Sequence, residues 1–174
     1  MFQNCSGLVS VPSDFMSLMT TVPTYCCYYM FNGCTSLTAA PTLPANSLGE
    51  DCYEYMFLGC SSLKNGPTKI GNNSSTILNA RCCKNMFINC TSLTAAPILP
   101  ATTLADECYA QMFAGCYALS TPPSLPATIL ANNCYQSMFG GCSSLLSAPT
   151  LPATTLIPVC YNYMFAGCKN LTGI

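Results

Sequence analysis

Apolar residues recur at fixed spacing along the whole chain. A Met-Phe pair, any one residue, Gly or Asn, and then Cys occur in that order seven times, starting at Met1, Met30, Met56, Met86, Met112, Met138 and Met164. The period is 26 residues, with three extra residues in the first interval and four in the third. Such self-similarity is typical of repeat architectures. The pattern predicts about six stacked repeats in a single domain spanning residues 1–174, and its continuation to both termini favours a fragment of a longer protein.

One repeat, from Leu93 to Cys116, illustrates the predicted elements. Residues 93–100 are apolar and contain two prolines, which allow only a short strand. Residues 103–113 carry apolar side chains with the i, i+4, i+5, i+8, i+9 spacing of an amphipathic helix. Thr103 is a candidate N-cap, with Asp106 three residues later. The sequence therefore predicts an α/β solenoid of strand–turn–helix repeats, each stabilised by its neighbours.

The ends of the predicted helices also recur. Gly or Asn precedes the motif Cys in all seven copies, at Asn4, Gly33, Gly59, Asn89, Gly115, Gly141 and Gly167. These residue types tolerate the left-handed conformation that ends a helix. Carboxylates such as those of Glu50-Asp51 and Asp106-Glu107 fall in the predicted first turns, where the helix dipole favours them. This interpretation leaves no carboxylate pair for general acid–base catalysis.

The motif has a likeness among known repeats. Residues Met112 to Leu119 read Met-Phe-Ala-Gly-Cys-Tyr-Ala-Leu, which resembles the Ala-Phe-x-x-Cys-x-x-Leu core of BspA-like (treponemal-type) leucine-rich repeats, with Met replacing Ala. The pair Leu99-Pro100 resembles the upstream Ile-Pro of that family. The resemblance covers essentially the whole chain. It implies a right-handed leucine-rich-repeat stack, an extracellular or cell-surface location, and a role in adhesion or ligand binding.

Composition narrows the classes of partner. Only 6% of the residues are charged and the net charge is −1, so the chain lacks the clustered Lys and Arg that nucleic acids or anionic lipids require. No run of 18 apolar residues and no signal-peptide pattern is present in the sequence. We therefore expect neither nucleic-acid binding nor membrane insertion, and the oligomeric state stays open.

The 15 cysteines follow the repeat, apart from Cys27 and Cys83. Within one repeat, Cys108 and Cys116 would lie about 12 Å apart on a helix, too far for a disulfide. The chain has no His, which disfavours zinc sites and an activated nucleophile. The preferred interpretation is a small apolar side chain at a buried position, with no metal, cofactor or catalytic residue. The pairs Cys26-Cys27 and Cys82-Cys83 are expected to be exposed, and their oxidation state stays open.

Tyrosines and one insertion offer further candidates. Tyr53, Tyr109, Tyr135 and Tyr161 share one column of the repeat and are expected to be half-buried, whereas Tyr29, Tyr55 and Tyr163 share another that is expected to be exposed. The irregular interval 64–79 predicts a surface loop. Such insertions are either binding elements or neutral loops.

These observations favour a non-catalytic binding or adhesion module over an enzyme. Stacked repeats provide an extended surface for a protein or glycan partner. The alternative is a structural spacer that displays another domain. The candidate ligand-facing residues lie in the predicted strand segments: Thr38, Thr42, Thr94, Ile98, Ser120, Ser124 and Thr150.

Overall fold

The structure, a computed structural model, describes residues 1–173. Three two-residue strands form an open parallel sheet in the order β1-β2-β3: β1 (Thr21–Val22), β2 (Ser47–Leu48) and β3 (Ile77–Leu78). Thr21 pairs with Ser47, and Ser47 pairs with Ile77. Equivalent positions of successive repeats therefore lie side by side. We call each repeat a layer and number the layers 1 to 7 by the Met-Phe motif that they contain.

The predicted helices do not form. Residues 1–173 contain no helix and only the three short strands, so the α/β solenoid of strand–turn–helix repeats is wrong, and so is its description as a leucine-rich-repeat solenoid. Thr103, the candidate N-cap, instead forms a parallel bridge with Ile129. The predicted strand 93–100 is reduced to isolated bridges at Ala95 and Ile98.

Overlapping β-turns take the place of the predicted helix. Cys108 donates its N–H to the carbonyl of Ala105 at 3.2 Å, and Ala110 donates to Glu107 at 3.0 Å. The same pattern continues at every second residue through Cys116. The intervening residues donate to the next layer instead. Tyr109, for example, donates to the carbonyl of Cys134 at 3.1 Å. Half of the N–H groups thus close turns within a layer, and the other half join neighbouring layers.

The apolar spacing fits this coil as well as it fits a helix. Two turns take up four residues, so side chains four positions apart point to the same side of the layer. Cys108, Met112 and Cys116 form one such set, and Tyr109 and Phe113 form the other; all five are buried. Over a segment as short as Cys108 to Cys116, a period of four residues cannot be distinguished from the 3.6-residue period of a helix. The pattern therefore predicted the buried residues correctly and the backbone incorrectly.

The left-handed prediction for the residue before the motif Cys is confirmed, although no helix ends there. All seven copies have positive φ, with 74° at Gly115 and 59° at Asn89. Two more left-handed residues precede each copy in the complete layers, such as Gln111 and Glu107 in layer 5. Each is the third residue of a turn, where type II turns require positive φ. This conformation costs about 1–2 kcal/mol at a non-glycine residue, and the hydrogen bond donated to the next layer opposes that cost.

A column of phenylalanine rings forms the centre of the core. Neighbouring rings lie 5.4–5.7 Å apart between centroids, with planes inclined by 2–9°. The column comprises Phe2, Phe31, Phe57, Phe87, Phe113, Phe139 and Phe165. The Met before each Phe, except the exposed Met1, and the Leu three residues after each motif Cys pack beside it. Each ring contacts rings of the adjacent layers, so the core is continuous from layer to layer.

We expect Phe113→Ala to destabilise the protein by about 3–5 kcal/mol, the usual cost of truncating a buried Phe. Phe2→Ala should cost clearly less, because Phe2 is only partly buried. Urea denaturation of both variants measures the difference. Equal losses would contradict a core built on layer-to-layer ring contacts.

Gly59 allows a clean test of the left-handed position. Its φ is 70°, and a Cβ placed there would meet no atom within 4 Å. We therefore expect Gly59→Val to cost about 1–2 kcal/mol from backbone strain alone. Gly59→Asn should cost less, because Asn4 and Asn89 occupy the equivalent position in other layers. Thermal melting that gives the two variants the same stability would refute the assignment.

Candidate functional site

The predicted ligand-facing residues lie on the surface, with one exception. Six of them are exposed, and Ser120 is half-buried. They form two columns across the layers, which we call the candidate face: Thr38, Thr94 and Ser120 in one, and Thr42, Ile98, Ser124 and Thr150 in the other. Backbone hydrogen bonds between layers run along these columns, such as Thr38 N–H to the carbonyl of Val9 at 3.1 Å. The backbone therefore fixes the spacing of the side chains along both columns of the candidate face.

Threonine hydroxyls on this face take part in the stacking of the layers. The hydroxyl of Thr42 donates to the carbonyl of Ser13 at 2.9 Å, and that of Thr94 donates to the carbonyl of Lys64 at 3.3 Å. Thr38 donates to Val9 in the same way at 3.3 Å. With their protons engaged, these side chains offer a partner a methyl group and acceptor lone pairs.

Two shallow grooves include residues of the candidate face. One, of about 280 Å³, is lined by Ser17, Thr42, Leu43, Pro44, Thr68 and Lys69. The other, of about 220 Å³, is lined by Thr94, Ala95, Ala96, Thr121, Pro122 and Pro123. The first groove joins the candidate face to the inserted segment. Both combine hydroxyl groups with apolar surface, and the first also contains the cationic side chain of Lys69.

The inserted segment, residues 64–79, is tied to the layer before it. The N–H of Asn72 donates to the side-chain oxygen of Asn46 at 2.9 Å, and the N–H of Gly71 donates to the carbonyl of Leu43 at 3.2 Å. Gly71 has a φ of 81°, and a Cβ there would collide with the buried Thr76. The segment then resumes the repeat at β3. The predicted loop is thus a fixed wall of the first groove.

A charged cluster lies on the side of layers 3 to 5 that the overlapping turns form, which we call the turn side. Asp51 is 2% exposed and Glu54 is 7% exposed. Arg81 contacts Asp51 through two hydrogen bonds of 2.8 and 3.1 Å and also pairs with Glu50. Because no helix forms, helix capping does not explain these carboxylates. An alignment of the repeats would have indicated this ion pair, since Asp51 and Arg81 occupy the same column of adjacent layers.

The two buried carboxyl groups differ in acidity. Burial and a hydrogen bond with Asp51 raise the pKa of Glu54 to about 7. Burial opposes ionisation of Asp51 too, but hydrogen bonds with Arg81, Glu54 and Tyr25 hold its pKa below the usual range. The two carboxyl groups therefore share a proton near neutral pH.

Tyrosines adjoin this cluster. Tyr25 and Tyr28 are exposed, by 58% and 36%, and Tyr29 stacks on Tyr55 with centroids 4.7 Å apart. The ring of Tyr28 lies perpendicular to both stacked rings. As expected, Tyr163 is exposed, while Tyr29 and Tyr55 are partly exposed.

The other tyrosine column is deeper than expected. Tyr53, Tyr109 and Tyr135 are fully buried, and only Tyr161 is partly exposed. Cys27 and Cys83 occupy the same column, so they are buried with the tyrosines. The expectation that Cys26, Cys27, Cys82 and Cys83 are exposed holds for Cys26 alone.

The motif cysteines make a specific contact. All 15 cysteines are free thiols. In each layer after the first, the motif Cys lies 3.0–3.1 Å from the carbonyl oxygen of the Phe in the preceding layer, toward which its thiol donates. That oxygen also accepts the N–H of the Cys in its own layer, as Phe87 does from Cys90 and Cys116. The cysteine is therefore a hydrogen-bond donor within the core as well as an apolar filler.

Burial raises the pKa of the buried thiols, both in the motif and in the column before it. The value is about 12 for Cys60 and Cys142 and about 11 for Cys134. The pKa of the fully buried Cys82 and Cys108 lies well above the usual value for the same reason. The folded protein thus keeps these groups protonated and unreactive near neutral pH.

Comparisons with known proteins add no relative. A scan against protein-family models finds no match, and searches of curated proteins and of solved structures find no significant match. Within residues 1–173, no group of three or more Cys, Asp or Glu side chains is arranged to hold a metal ion. No helix long and apolar enough to cross a membrane occurs in that range.

The buried thiols predict a loss of stability at alkaline pH. Their folded pKa is raised, so their contribution is complete below the unfolded pKa of about 8.5 and is lost as pH rises above it. Each thiol that ionises only on unfolding costs about 1.4 kcal/mol per pH unit. Five such thiols would remove about 7 kcal/mol per unit, comparable with the whole stability of a domain.

Urea denaturation under reducing conditions, repeated at several pH values from 7 to 10, measures this loss. Cys60→Ala should reduce the slope of stability against pH by about one proton. Cys26→Ser at an exposed site is the matched control. Stability that stays constant up to pH 10 would show that the thiols are not buried.

Proposed function

We propose that this chain is a non-catalytic binding or adhesion module whose candidate face contacts an extended protein or glycan partner. The observation that carries the proposal is the regular spacing of exposed Thr, Ser and Ile side chains along the two columns of the candidate face. Such columns repeat one short contact many times, so a long partner gains affinity from each layer that it crosses.

The chemistry of the face supports an uncharged partner surface. The methyl groups of Thr42 and Thr94 and the side chain of Ile98 are apolar, and the threonine oxygens accept hydrogen bonds. The grooves beside Thr42 and Thr94 provide concave sites at two points along the columns. The resemblance of the motif to BspA-like repeats also favours adhesion, and a surface location follows from that resemblance alone.

The proposal is tested by binding of the purified chain to a glycan array and to immobilised mucin. Arginine substitutions on the candidate face, at Thr42, Thr94 and Ser124, should each weaken binding severalfold and act cumulatively. The reason is that a bulky charged side chain blocks the contact with one layer and leaves the contacts with the other layers intact. Tyr117→Arg, at an exposed position outside the face, is the matched control.

Binding should also change only slightly with salt, because the seven members of the face are uncharged and its nearest charges are two lysines: Lys64, between Thr38 and Thr94 in the same column, and Lys69 in the first groove. Binding that is abolished by a single substitution would contradict a distributed surface. If no glycan or mucin is bound and the substitutions have no effect, the chain is better described as a structural spacer.

A further inference from the structure

A second surface lies on the turn side of layers 2 and 3, outside the candidate face. Three tyrosines of layer 2, Tyr25, Tyr28 and Tyr29, lie beside the acidic residues of layer 3: Tyr25 donates its backbone N–H to the carbonyl of Glu50 at 3.1 Å, and Tyr29 donates to that of Glu54 at 3.2 Å. Tyr55 extends the aromatic group into layer 3 through its stack with Tyr29. The proposed function does not use this combination of exposed aromatic rings and buried carboxylates.

The charge around this surface is unbalanced. Residues 1–63 contain four acidic residues and no Lys or Arg. From layer 4, Arg81 pairs with both Asp51 and Glu50, one positive charge against two negative ones. Lys84, the other basic residue of that layer, pairs with Glu107 of layer 5. Glu54 is left without an ion pair although it is more than nine-tenths buried.

A buried carboxylate without a cation is costly, and the neighbours of Glu54 show where it faces. Burial, and to a lesser extent the charge of Glu54, raise the pKa of Tyr28 to about 12. The same two causes, in the same order, raise the pKa of Tyr55. Glu54 also precedes Tyr55 in the sequence, occupies the same column as Tyr28 of the preceding layer, and accepts the backbone N–H of Tyr29 on its carbonyl at 3.2 Å, so it lies close to the aromatic group. A cation placed on this side would contact the carboxylate and the aromatic faces together.

We propose that Tyr25, Tyr28, Tyr55 and Glu54 form a binding site for an arginine side chain of a partner protein. A guanidinium group stacks on aromatic rings and donates paired hydrogen bonds to a carboxylate, and it is less strongly hydrated than an ammonium group. The chain itself provides the precedent, since Arg81 binds the carboxylate of Asp51 with two hydrogen bonds. The site is independent of the candidate face, so either can be present without the other.

The test is calorimetric titration of the whole chain with the peptide acetyl-Gly-Arg-Arg-Gly-amide. The control peptide contains citrulline, which keeps the shape of arginine without its charge. We expect saturable binding of the arginine peptide only. Tyr28→Leu should weaken it about threefold, whereas Tyr28→Phe, which keeps the aromatic face, should leave it nearly unchanged. Glu54→Gln should weaken it about tenfold through loss of a charge-assisted hydrogen bond.

Salt and pH give independent readouts. Binding should weaken as salt is added, unlike binding to the candidate face. It should strengthen as pH rises through about 7, where Glu54 ionises. The groups facing Glu54 are Asp51 and Tyr55 in its own layer, Tyr28 in the preceding layer, and Lys84 and Asn85 in the following layer.

Tyr117→Leu, at an exposed tyrosine of layer 5, is the matched control and should bind like the wild type. The proposal is overturned if the citrulline peptide binds equally, or if no saturable binding occurs at millimolar peptide. Equal effects of Tyr28→Leu and Tyr28→Phe, or of Tyr28→Leu and Tyr117→Leu, would also overturn it. Should Glu54→Gln fail to fold, the Tyr28 pair decides the matter alone.

Discussion

The division of backbone hydrogen bonds between turns and neighbouring layers is the constraint on which the structure depends. A repeat of 26 residues buries too little apolar surface to fold by itself. In an α-helix nearly every interior N–H would be satisfied within the repeat, leaving the backbone nothing to share. Here alternate N–H groups, such as that of Tyr109, cross to the next layer. Each layer is therefore completed only by its neighbour.

The same constraint explains the motif residues. The residue before the motif Cys must be left-handed so that its N–H reaches the next layer, and Gly115 donates to Gly140 at 2.8 Å. The Phe ring stacks at the spacing that the hydrogen bonds set, and the Cys thiol binds the free side of the Phe carbonyl. Backbone, aromatic and thiol contacts thus share one repeat distance, so a change in any one of them alters the other two.

The sequence predicted the buried positions and the left-handed residues but not the backbone between them. Met112, Phe113 and Cys116 are in the core as expected, because burial depends on spacing and residue type. The helix was wrong because turns with a period of four satisfy the same spacing. Bulky left-handed residues such as Gln111 could not be anticipated, since their conformation is stabilised only by bonds to another layer.

The candidate face and the charged cluster differ in the same way. The exposure of Thr42 and Thr94 follows from the local pattern of the strand segment, and both are exposed. The cluster around Glu54 depends on which residues of successive repeats are stacked. Only a column-by-column alignment places Asp51 beside Arg81, and a single repeat contains no trace of that contact. The engagement of the threonine hydroxyls is likewise a property of paired layers.

The one-way donation of hydrogen bonds on the turn side has an electrical consequence. The peptide group joining Cys52 to Tyr53 accepts from Cys27 of the preceding layer and donates to Cys82 of the following one. Such groups lie head to tail in five parallel rows, so their dipoles add along the stack as they do along a helix. On the candidate face the direction is reversed, since Thr38 donates to Val9 and Lys64 donates to Thr38, each in the preceding layer. Whichever layer closes the stack on its later side therefore presents partial positive charge on its turn side and partial negative charge on its candidate face, and a layer closing the earlier side presents the opposite.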